Sequence, residues 1–218
     1  LHLSIRRQRQ MCIRDSWGLE IQARTARIYP FAGKIVRMPL TSAHFCRGTV
    51  PVAFIFIAPG EIEDAQQHPI AGATGSNFDH ALEHLHGADP AMFPSKYRYD
   101  YRITNSYSDI LSSKRGNGRT EPKVSEVKQA GNLARIKSEI AECATIILCG
   151  KRPAALCKLL SAPGLQLVRM PHIGNRSLNH QYSVETEYGI CTPTTRRVDR
   201  ATQWAKQLIQ ALARADVA

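Results

Sequence analysis

The chain has no apolar run approaching the roughly 20 residues that a helix needs to cross a bilayer, and no signal-like apolar core is visible. The expectation is a soluble, cytoplasmic protein with no membrane partner. Cys-x-x-Cys pairs are missing as well. The six cysteines, Cys12, Cys46, Cys143, Cys149, Cys157 and Cys191, are scattered, which argues against a zinc or disulfide framework and places several of them in the core. No internal repeat is evident, and the glycine-punctuated loop near Gly60 lacks the Gly-Lys-Ser/Thr ending that grips nucleotide phosphates. Acidic residues are scarce: 18 Asp and Glu stand against 29 Lys and Arg, for a formal charge of +11. That balance favours a polyanionic partner, because basic side chains release counterions from phosphates.

Part of the charge sits in an unusual opening. Leu1 to Ser16 resembles translated sequencing-adapter read-through, so a non-native leader is expected over 1–16 and one domain over 17–218. The leader's four arginines and one aspartate carry +3 of the total, which leaves +8. A chain of 218 residues can bury one substantial core, and a monomer is expected.

What is present alternates between apolar runs and amphipathic stretches. Val52 to Ile57, bounded by Pro51 and Pro59, reads as a buried parallel strand that empties into the loop Ala58 to Gly75. A helix follows, with Ser76 as its expected cap and Phe78, Ala81, Leu82 and Leu85 on one face. Further strands are expected at Tyr101–Asn105, Thr145–Cys149 and Leu165–Val168, and helices at Glu126–Ala141, from Pro153 through Leu160, and at Ala201–Ala213. Strand and helix in alternation predict an α/β fold, a three-layer α/β/α arrangement around a central four-stranded parallel sheet. In such sheets ligands bind beyond the carboxyl ends of the strands, where the Ala58–Gly75 loop falls.

That loop carries Pro59, Gly60, Glu63, Asp64, Pro69, Gly72 and Gly75 at gapless spacing. Tyr101-Arg102-Ile103-Thr104-Asn105, Arg119 to Glu126, Cys143 to Ala155 and Met170-Pro171-His172 follow in order. Together these blocks resemble the uracil-DNA glycosylase superfamily, most closely its family 4, over about Val52 to Asn179. The resemblance implies a glycosylase fold, flipped-base recognition by Asn105, and a catalytic donor at His172. It also implies that Ile57, Ala58, Gly60 and Ile70 border the base. Cleaving an N-glycosidic bond puts positive charge on the sugar and negative charge on the departing base, so donors must face the base. An imidazole at His172 suits that task, and the Asn105 amide can both donate to and accept from a Watson–Crick edge.

Other residues follow from position. Glu61, Glu63 and Asp64 are the carboxylates nearest the motif and the catalytic candidates beside His172, with loop hydrogen bonding or helix-dipole pairing as their other reading. Gly174-Asn175-Arg176-Ser177-Leu178-Asn179 reads as a loop that enters the duplex, with Leu178 or Arg176 filling the vacated space; a plain surface loop is the alternative. Ser112 to Lys123, with Lys114, Arg115 and Arg119, reads as a loop facing phosphates.

Departures from the family pattern are informative. Ile57 stands where family 4 has a water-orienting glutamate, and Ile70 where it has the phenylalanine that stacks on uracil. Asp109 and Ala130 replace two of its four iron–sulfur cysteines, so no cluster and no other cofactor or metal is expected. A pocket without the flat ring suits a base with a bulky 5-substituent. The leading expectation is a monofunctional DNA glycosylase that removes glucosylated hydroxymethylcytosine from phage DNA in antiviral defence. Uracil excision in DNA repair is the runner-up, and a catalytically weak module that binds damaged or single-stranded DNA is the alternative from another class.

Overall fold

A computed structural model describes residues 41–114, 118–183 and 192–215. The expected leader over 1–16, Arg115, Cys12 and Cys191 lie outside the described residues. The fold is α/β, and its sheet is mixed rather than the purely parallel four-stranded one expected. Six strands, β1 (Thr41–Ser42), β2 (Phe45–Cys46), β3 (Val50–Phe56), β4 (Tyr101–Asn105), β5 (Thr145–Cys149) and β6 (Gln166–Met170), run in the order β1-β2-β4-β3-β5-β6. The four long strands are parallel, while β1 and β2 form a small antiparallel extension on the outer edge of β4. Strands of two residues are too short to leave a period of two in the sequence, so no local pattern marks them. Phe45 and Cys46, both buried, cover an edge that would otherwise present unpaired backbone groups.

Side chains of β3 explain the layering. Phe54 and Phe56 join one buried cluster with Phe78, Leu82 and Leu85 of helix α2 (Ala73–Ala88) and with Trp204, Ala205 and Leu208 of helix α8 (Pro193–Ala215). Ala53 and Ile55 point the other way, into a second cluster with Ile136, Ile140, Leu156 and Leu160. Alternate residues of one strand thus meet helices on opposite faces, which is the reason the strand reads as a continuous apolar run. Each large side chain so buried contributes about 1.5–3 kcal/mol. Phe54 adds edge-on contacts to Phe78 and Tyr101, with ring centroids 4.6 and 5.8 Å apart.

Several boundaries differ from expectation. Helix α2 begins at Ala73 with Gly72 as its cap, so Ser76 lies inside it. A short helix α1 (Glu61–Gln66) occupies the region expected to be loop. The helix expected over Glu126–Ala141 is two, α3 (Val124–Val127) and α4 (Ala130–Glu139), and the stretch from Pro153 is divided into α5 (Lys151–Ala154) and α6 (Cys157–Leu160). Asn132 sits at the first break and donates to the carbonyls of Val127 and Ser106, both at 2.8 Å. Helix α7 (Asn175–Gln181) replaces most of the expected loop at Gly174–Asn179.

Candidate active site

Phe56 of β3 lies beside Asn105 of β4 in parallel register, and Cys149 of β5 beside Met170 of β6, so these strands finish along one edge. The segments leaving β3 and β4 are tied together there. Ser106 donates its N–H to the Phe56 carbonyl at 2.7 Å and its hydroxyl to the Ile57 carbonyl at 2.7 Å, and Leu111 N–H reaches the Pro59 carbonyl at 2.9 Å. A cavity of about 360 Å³ opens beyond this edge. Ile57, Ala58, Gly60, Glu63, Ile70, Asn105, His172 and Arg176 line it together with Phe56, Thr74, Leu111, Thr120 and Glu121. Two residues singled out from separate motifs, Asn105 and His172, therefore share one space.

His172 is held by its backbone on both sides. Trp204 donates its indole N–H to the Pro171 carbonyl at 2.8 Å, and the buried Asn77 amide donates to the Ile173 carbonyl at 2.9 Å and to the Asn175 side chain at 2.8 Å. Gly174 N–H donates to His172 Nδ1 at 3.0 Å, which leaves the ring proton of the neutral imidazole on Nε2. Desolvation by the surrounding atoms pushes the His172 pKa down to about 4, against a smaller opposing pull from the Glu121 charge. The site therefore presents a neutral N–H donor at physiological pH.

Its stability linkage has a definite sign. With a folded-state pKa below the ordinary 6.5, the unfolded chain takes up the proton first. The stability contribution is complete above pH 6.5 and is lost as pH falls toward 4, to the extent of about 3 kcal/mol. Imidazole NMR should show no His172 titration step near pH 6.5, and H172Q should lose less stability in acid than the parent. A normal titration near 6.5 would mean that the ring is solvated rather than enclosed.

Asn105, 2% exposed, is fixed through its main chain. Its N–H donates to the His44 carbonyl at 3.0 Å, and its carbonyl accepts from Arg135 Nη2 at 2.8 Å. Arg135 also binds Glu139 at 2.6 Å, and Thr104 donates its hydroxyl to the same carboxylate oxygen at 2.5 Å. Burial alone would raise the pKa of Glu139. Its hydrogen bond from His44, the Arg135 charge and the Thr104 hydroxyl outweigh that and hold it below the usual carboxylate range. A buried, fully engaged ion network thus stands behind the strand end that carries Asn105.

The carboxylates of α1 separate. Glu63 lines the cavity and takes the Gly60 N–H on Oε2 at 3.0 Å, completing the helix start. Glu61 turns away, accepting the Ser112 hydroxyl at 2.5 Å and lying 3.7 Å from Lys114 Nζ. Asp64 is not among the lining residues. Ile70 is 4% exposed and has φ +47°, the left-handed region that disfavours branched side chains. Backbone strain of this kind gathers at ligand sites.

Leu178 departs most from expectation. It is 1% exposed and packed in the α2/α8 cluster, because helix α7 turns it inward, and so it is no wedge. Arg176, on the same helix, is exposed and borders the cavity. Gly174 and Asn175 act on the His172 segment as described, and Asn179 accepts from Arg200. Ser177 does not line the cavity. Arg119 makes a two-pronged pair with Glu126 at 2.8 and 3.1 Å, which ties its loop to α3.

No family model matches this chain, and no curated protein matches it. Asn77 and Glu121 were not singled out from sequence. Asn77 lies among the buried positions of α2, and a glutamate before proline in a polar loop carries no periodic signal.

Proposed function

We propose that this chain is a monofunctional DNA glycosylase of the uracil-DNA glycosylase type, which takes a flipped base into the cavity and hydrolyses its bond to deoxyribose. The observation that carries this reading is the single cavity holding the Asn105 amide and a His172 fixed as a neutral Nε2–H donor. Asn105 reads the base edge. His172 donates to the base oxygen on which charge collects as the bond breaks, and a donor already in place there needs no reorganisation. Phe56, edge-on to the His172 ring at 6.1 Å, and the aliphatic Ile57 and Ile70 form the apolar part of the lining, and a hydrogen bond beside such low-dielectric groups is stronger than in water. The basic balance of the chain supplies attraction to phosphates.

The volume has room for the bulkier substrate. About 360 Å³ falls in the range of pockets that enclose whole small ligands, roughly 300–1,000 Å³. Ile70 stands where family 4 carries its stacking phenylalanine. Glucosylated hydroxymethylcytosine in phage DNA is therefore the proposed substrate, with an antiviral role. One observation favours a second reading: Ile57, an aliphatic group, occupies the wall where family 4 places its glutamate, as a binding module without turnover would allow.

One panel separates them. DNA containing uracil, hypoxanthine, hydroxymethylcytosine or its glucosylated form is incubated with the protein, and free base and abasic sites are measured. Release of the glucosylated base is the expected result, and release of uracil alone would select the repair reading. Tight, salt-sensitive binding to DNA with no base released would select the binding module.

A further inference from the structure

We propose that Glu121 is the carboxylate that positions the attacking water and accepts its proton. The inference rests on the glycosylase reading above. Hydrolysis at the sugar needs a group that draws a proton from water, and the neutral His172, committed to the base, does not supply it. Of the three carboxylates of α1, Glu61 faces Ser112 and Asp64 stands outside the wall. Glu63 does line the cavity, but its Oε2 takes the Gly60 N–H and belongs to the α1 start.

Glu121 is placed differently. It lines the same cavity as His172 and Asn105, and its charge is felt at the His172 ring. Its anchor is electrostatic: Arg152 Nε stands 3.3 Å from Oε2 without the alignment of a hydrogen bond. Such a pair steers the carboxylate while leaving its lone pairs open to water. Pro122 restrains the backbone of the preceding residue, and Arg119 paired with Glu126 fastens the loop on either side.

The step balances. As the C1′–N bond breaks, its electron pair passes to the base, whose oxygen accepts the His172 Nε2–H bond. The water oxygen bonds to C1′, and the water proton goes to Glu121, which returns it to solvent; the departing base takes its proton from solvent. Before attack, the negative carboxylate also steadies the cationic sugar. Half of the Glu121 side chain is exposed without DNA, and a bound nucleotide would cover it and strengthen both effects.

E121Q keeps size and shape and tests this under single-turnover conditions, on whichever base of the panel the parent protein releases. The expected result is a rate at least about 10²-fold lower, with DNA affinity and melting temperature unchanged. E121D, which keeps a carboxylate, should retain more of the rate than E121Q. A parent protein that releases base and an E121Q variant within a few-fold of it would overturn the assignment of Glu121 alone. An E121D rate no better than that of E121Q would do the same. If the parent releases no base at all, the glycosylase reading fails and this inference with it.

Discussion

Replacing His172 with Ala is expected to lower base release by about 10²–10³-fold, the usual cost of removing one preorganised donor from a developing anion. The Nε2–H is fixed by what happens on the far side of the ring. Gly174 N–H occupies Nδ1, so the proton has one place to be in the neutral form, and burial keeps that form dominant. The fold should survive, since Trp204 and Asn77 hold the segment by the carbonyls of Pro171 and Ile173 rather than by the imidazole. The lost partner of Gly174 N–H should cost about 1 kcal/mol, a small part of the stability of a domain this size. The informative measurement is the single-turnover rate on the released base together with the melting curve. A rate within a few-fold of the parent would remove His172 from the chemistry, whereas a collapsed melting curve would show that its role is structural.

Gly75→Ala is expected to destabilise the fold by about 3 kcal/mol, although helix propensity alone predicts the opposite sign. In an exposed helix interior that replacement gains about 1 kcal/mol. Here a Cβ would stand 1.9 Å from the Ile70 carbonyl oxygen and 2.2 Å from Arg98 Nη1, well inside contact distance. Neither neighbour yields cheaply. Ile70 is already at φ +47°, and Arg98 is held 3.0 Å from Asp79 while its guanidinium lies 5.0 Å from the Tyr99 ring centre. Overpacking of this severity commonly costs 1–3 kcal/mol or more and exceeds the propensity gain. For a domain of this size the melting midpoint should fall by roughly 6–12 °C. Since Ile70 also borders the cavity, base release should fall as well. An unchanged or higher midpoint would show that the turn at Ile70 can shift without cost.

Much of the sheet was legible because its strands are buried on both faces. Val52–Ile57 and Ile146–Cys149 are unbroken apolar runs, and such runs have few other homes in a chain of this composition. The α2 face was legible for the same reason, with Phe78, Ala81, Leu82 and Leu85 all wholly buried. Its start was misplaced because Gly72 caps it through backbone geometry alone, leaving Ser76 as the more conspicuous but incorrect signal. Leu178 misled in the other direction. In a polar stretch of Gly, Asn, Arg and Ser it looked like a lone exposed apolar group, yet one turn of helix from Asn175 carries it into the core.

The amino-acid order alone settled the α/β class and the basic balance, since burial periodicity and side-chain charge are local properties, and the family resemblance of its motifs supplied the short list containing His172 and Asn105. Only the folded chain decided which of three nearby carboxylates face the cavity, which ring nitrogen of His172 carries the proton, and that Glu121 joins them. Those outcomes depend on segments far apart in sequence meeting at one sheet edge, where contacts as distant as Asn77 to Ile173 and Arg135 to Asn105 fix directions that no local pattern encodes.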